Sequence, residues 1–241
     1  MKNSMKSTNA FAKPLMITIY VYLIIELIYL IFLPISYSIV ANVFEGYEIS
    51  LETMNTIESI LVTLDSLFIF TSLILFVLLI AWVRRTYQNL HLKAKYLNSN
   101  VNWAIWSFII PFVNFVAPRN LLIEIHEESE KLLQDNDIPF EWTISENFVT
   151  IWWTIAIVYR ILSKITEKTF SAPDTLEEYT TFLILFMICT VLGIAFGILS
   201  LKLIRSFREA EVLLNQVPDF EDDSDESEDG AGEIPAGLEP S

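Results

Sequence analysis

The chain has 241 residues, 53% of them hydrophobic and only 19% charged, with a formal net charge of −15. Soluble domains carry about 25% charged residues, so this balance points to a membrane protein. One cysteine and two histidines leave no internal disulfide and no cysteine-based zinc site, and no basic patch suits nucleic acid.

A bilayer core takes about 20 predominantly apolar residues per helix. After an N-terminal arm (1–13) carrying Lys2, Lys6 and Lys13, a first span is expected over 14–43, with Pro14 suited to the opening turn. That apolar run is too long for the core of a cleaved signal peptide, so the span is expected to stay. A second span is expected over 57–83, running into Arg84-Arg85 and a basic connector with Lys93 and Lys95, which set orientation and meet anionic headgroups.

The stretch 103–118 is short for a crossing, and Pro111, Asn114 and Pro118 break it. If it dips in and returns, twelve of the fifteen basic residues lie on one side. If it crosses, only ten do. The positive-inside rule therefore favours a re-entrant or interfacial segment, with both termini cytoplasmic. Residues 119–134 follow as an amphipathic cytoplasmic helix, with Leu122, Ile125, Ser129, Leu132 and Leu133 on one face.

Two further spans are expected over 148–166 and 182–204. Capping boxes Thr143-Ile-Ser-Glu146 and Thr175-Leu-Glu-Glu178 precede them. Residues 218–241 form an acidic tail too poor in apolar residues to fold, and residues 219–241 hold ten acidic residues and no basic one. The fold class is thus all-α integral membrane: four transmembrane helices, the Pro-Asn-Pro segment and the amphipathic helix.

Trp82, Arg85, Asn89, Trp106, Ile110-Pro111, Asn114, Pro118 and Glu124 together make a pattern: W-x-x-R, a following Asn, then W-x-x-x-x-I-P-x-x-N-x-x-x-P and a helix with Glu. This resembles an uncharacterised four-helix membrane-protein family, mainly bacterial, known only as a domain of unknown function. The resemblance is specific over about 45 residues and supports the fold. It carries no activity over.

Ionisable groups inside spans are functional candidates by default. Glu26 lies mid-span on a stripe with Thr18, Tyr22 and Tyr29. Arg160 lies at a similar depth in the third span, so a Glu26–Arg160 pair would neutralise both, with Asp65 as another partner for the arginine. Asn114 is placed to satisfy backbone freed by the prolines, or else to contact a ligand in a broken helix. Trp103, Trp106, Trp142, Trp152 and Trp153 suit an interfacial belt. Cys189, Gly193 and Gly197 form a small-residue stripe for close packing within the monomer, or for a homo-oligomer or membrane-protein partner.

No nucleophile–base pair, phosphate loop or metal constellation is visible, so neither enzyme activity nor a cofactor is expected. The leading expectation is a non-enzymatic assembly or regulatory component of the plasma membrane. The alternative is a small channel or transporter using Glu26, Asp65, Asn114 and Arg160. The first predicts a Glu26–Arg160 pair and no continuous polar path across the bundle. The second requires a cavity lined by all four.

Overall fold

Four apolar runs with helix-competent ends become four long helices because a spanning backbone has to meet its own polar groups. The computed structural model describes residues 5–48, 50–169 and 175–220. The long helices are α1 (Asn9–Phe44), α2 (Leu51–Leu90), α5 (Glu146–Thr169) and α6 (Leu176–Leu214). Between α2 and α5 lie α3 (Trp103–Ile109), a 3-10 turn (Val113–Phe115) and α4 (Ala117–Asp135). The four long helices have the length and hydropathy of membrane spans. Their outward faces are apolar: Ile24 on α1, Leu73 on α2, Val158 on α5 and Val191 on α6 are each about half exposed. Contiguous exposed hydrophobic surface of this kind belongs against lipid.

The helices outrun the expected spans, and capping chemistry explains where they stop. α1 begins five residues before Pro14, which therefore sits inside the helix rather than in its first turn. The amides of Phe11 and Ala12 bond to the Thr8 carbonyl, and the fully buried Ala12 and Leu15 hold this extension on the core. α1 ends where Gly46 adopts φ +87°, a left-handed conformation that favours glycine. Tyr47 N–H there reaches back to the Asn42 carbonyl at 3.0 Å. α2 starts on the Ser50 hydroxyl, which accepts from Thr53 N–H at 3.1 Å. Thr175 caps α6 through Glu178 N–H as expected. The cap of α5, however, is Ser145 rather than Thr143, its hydroxyl accepting from Phe148 N–H.

α1 packs on both α2 and α6, and α6 on α5, giving the lateral order α2–α1–α6–α5. Thr8 at the start of α1 bonds Glu211 near the end of α6, so the described ends of the chain meet at one end of the bundle, called here the basal end. α4 lies across that end against α2, α5 and α6, burying Leu122, Ile125, Ser129 and Leu133 much as expected, with Leu121 and His126 beside them. At seven residues, about 10 Å, α3 is far too short to cross. All but the first three residues of the acidic tail lie outside the described residues.

The small-residue stripe is used within the monomer. Cys189, Gly193 and Gly197 are buried, and a methyl group at Gly193 would overlap the Glu26 carboxyl and come within 2.6 Å of the Tyr22 hydroxyl. One at Gly197 would lie 2.7 Å from Leu23. Overpacking such a seam typically costs about 1–3 kcal/mol. Gly193→Leu should therefore lower the melting midpoint in detergent, whereas Val191→Leu on the lipid face should not. Equal midpoints would show that α1 and α6 do not touch there.

Candidate functional site

The intramembrane polar residues are brought together, but not in the expected pair. Glu26 is 2% exposed, in the α1–α6 seam, with Tyr22 and Tyr159 as polar neighbours, and its Oε1 makes no hydrogen bond. Arg160 is exposed and makes no hydrogen bond or ion pair among the described residues. Asp65 accepts instead from the Tyr29 hydroxyl at 2.5 Å. Tyr29 and Glu26 sit on the same buried stripe of α1, so the expected face is real and its partner on α2 is Asp65.

The reason lies in helix order. With α1 and α6 in the middle of the row, α2 and α5 flank a cleft and do not pack closely on each other. Two cavities occupy this cleft, meeting at Phe68 and Tyr159. The distal one, about 410 Å³, is lined by Glu26, Asp65, Tyr29, Ser163, Glu167 and Thr190, among others. The other, about 460 Å³, has walls from Leu75, Phe76, Leu79 and Ile157, with Arg160 and Lys164 towards one end and Asn114 at the other. Glu26 and Asp65 thus share one chamber, and Asn114 and Arg160 the next.

Asn114 does not make the expected cap. Its side chain has no hydrogen bond among the described residues, while its backbone N–H bonds the Ile110 carbonyl at 3.0 Å. The work of fixing the Pro-Asn-Pro segment falls to Trp153, whose indole N–H donates to the Phe115 carbonyl at 2.9 Å and whose ring meets Phe108 edge to face. Trp152 is fully buried and donates to Ser200 at 2.8 Å, and Trp142 stacks on His126. Trp152 and Trp153 belong to the protein interior and not to an interfacial belt, while Trp142 is half-buried. Trp106, by contrast, is 53% exposed.

The motif residues of α2 and α4 organise the basal end. Trp82 is buried against Phe207, and the Arg85 guanidinium lies over the Phe11 ring. Asn89 pairs with the Lys6 backbone through both of its side-chain atoms, at 3.1 and 2.8 Å, and donates to Glu211 at 3.0 Å. Glu211 also accepts from the Thr8 backbone N–H and hydroxyl. Glu124 accepts from Tyr87 and from the Asn98 N–H, pinning the connector to α4. Lys93, expected to meet headgroups, is instead buried, bound to the Val217 carbonyl and to Asp219 at 2.7 Å. Glu211, Thr8 and Tyr159 were not singled out from sequence. The one available signal was that Glu211 falls at apolar spacing between Phe207 and Leu214, a place for a buried carboxylate.

The chain belongs to the family described as Domain of unknown function (DUF4328), whose model matches residues 45–209. No curated protein and no solved structure matches it. Lys6 and Thr8 lie well before the matched region and Glu211 two residues beyond it, so Asn89, inside it, binds partners contributed from both flanks. Leaving a buried polar group without its partner costs about 1–3 kcal/mol. Asn89→Ala should lower the melting midpoint accordingly and speed tryptic cleavage after Lys6. Coupling to Glu211→Gln in a double-mutant cycle should be clearly non-zero, and additive effects would remove the link.

Proposed function

We propose that this protein is a small, non-enzymatic transporter in the bilayer, taking up a proton or a monovalent cation in the chamber of Glu26 and Asp65. One observation carries the reading. Glu26 is a buried carboxyl with an unbonded oxygen, set at the edge of a cavity that also presents Asp65, Tyr29, Ser163 and Thr190. An ionised carboxylate at that depth is costly unless something meets its charge. A proton or a cation held by these oxygens does so, and because either can leave, the site is suited to exchange.

Neither expectation is met as framed: Glu26 and Arg160 do not pair among the described residues, and the four polar residues are divided between two adjoining cavities that meet at Phe68 and Tyr159. The transport reading is preferred for the Glu26 and Asp65 chamber alone. Among the described residues the basal end carries eleven of the fourteen basic residues, so it faces the cytoplasm in this proposal, with both termini. The α3 hairpin enters the bilayer from that side and returns. Its exposed Trp106, Ile109, Phe112 and Val116 support that placement.

The test is proton and cation flux in proteoliposomes. The native chain should exceed empty liposomes, and Glu26→Gln and Asp65→Asn should each fall to the empty level while keeping the native melting profile. Absence of flux from a folded preparation, or flux untouched by both substitutions, would sink the proposal.

A further inference from the structure

We infer that the cavity between α2 and α5 is a lipid site, holding one acyl chain of an anionic phospholipid with its phosphate at Arg160 and Lys164. It goes beyond the transport reading, since it concerns the other chamber and requires no flux.

The cavity is long and apolar along its walls. It extends from Trp153 to Lys164 on α5 and from Leu79 to Phe68 on α2, each stretch about 16 Å at 1.5 Å per residue. A bilayer core is about 30 Å thick, so this length matches the hydrocarbon of one leaflet. Phe108, Asn114 and Phe115 close the basal end, with Phe115 held by the Trp153 indole. A chain entering from the distal side stops there.

Charge selects the head group. Arg160 lies nine residues before the end of α5, and its exposed guanidinium has no partner among the described residues. Of the acids lining the neighbouring chamber, Asp65 accepts from Tyr29, Glu167 pairs with Lys164 at 3.0 Å, and none is bonded to Arg160 among the described residues. An anion from outside the chain is free to bind it. A phosphodiester suits a guanidinium through charge-assisted hydrogen bonds, with Lys164, itself paired with Glu167, one turn away.

The route in is lateral. On either side of the opening the helices expose apolar residues, Leu73 and Val77 on α2 and Val158 and Ile161 on α5, each 45–59% accessible. These surfaces face the acyl phase, so the site is reached from the bilayer by a molecule already in it.

Native mass spectrometry of the full chain, released from bilayers of equimolar phosphatidylglycerol and phosphatidylcholine, tests the inference. The expected result is one retained phosphatidylglycerol per chain. The double substitution Arg160→Gln, Lys164→Gln changes exposed side chains and should fold. It should lower the preference for the anionic lipid about tenfold, as loss of charge-assisted hydrogen bonds implies. Ala156→Phe, filling the groove, should abolish retention of either lipid, with folding checked by the melting profile. Equal retention of the two lipids by the native chain would overturn the inference. So would an unchanged preference in the double variant, or a lipid-free dimer assigning the groove to a second copy. Flux with no retained lipid would overturn this inference alone, and retained lipid with no flux would leave it standing while removing the transport reading.

Discussion

The Glu211 carboxylate sets the registration of the bundle. By taking the Thr8 backbone N–H and hydroxyl it fixes the start of α1 against the end of α6, two segments that run antiparallel. Eighteen residues along α1 from Thr8 is Glu26, and eighteen back along α6 from Glu211 is Gly193. At 1.5 Å per residue both lie about 27 Å from the tie. These are the two residues that meet in the seam. The same logic runs through α2: Asn89 holds Lys6, and Asp65 meets Tyr29 after nearly equal intervals along the two chains. A polar cluster at the basal end therefore decides which side chains face each other near the distal end.

That registration also decides what stays apart. With α1 and α6 locked in the centre, α2 and α5 become outer walls, and among the described residues the Pro-Asn-Pro hairpin closes the space between them at the base. Bilayer spans gain little from simple apolar contact with one another, because lipid is as apolar as leucine. Small residues and polar ties choose the contacts instead. The described structure places Gly193, Gly197 and the Glu211 ties on the α1–α6 side, while no comparable tie joins α2 to α5. The cleft follows from where the glycines are.

Much of this was legible in sequence, and the misses have physical causes. Four spans, the short hairpin, the α4 face and the family motif follow from hydropathy, proline spacing and helical period, none of which needs to know a neighbour. The Glu26–Arg160 expectation used depth alone. Depth fixes height in the bilayer but says nothing of which helices are adjacent, and α1 turned out to sit between α2 and α6. Trp152 and Trp153 were read by their type, yet adjacent helical residues point in different directions, and here one indole found Ser200 and the other the Phe115 carbonyl. The Asn89 cluster joins residues more than 80 positions apart, beyond any local pattern.

One feature of the hairpin supports its proposed placement in the bilayer. Phe112 adopts φ 65° and ψ −42°, the centre of a γ-turn closed by the Val113 N–H on the Pro111 carbonyl at 2.8 Å, and such strained backbone costs on the order of 1–3 kcal/mol. Its ring is 85% exposed, so the rest of the chain contributes little to offset the strain. Moving a phenylalanine side chain from water into an apolar phase returns about 1.5–3 kcal/mol, a comparable amount. In water, the ring and the strained backbone are both unfavourable. In hydrocarbon the ring compensates for the backbone that projects it. Trp153 can then hold the Phe115 carbonyl without the hairpin having to pack Phe112 anywhere, and the base of the cleft stays shut while its outward side stays open.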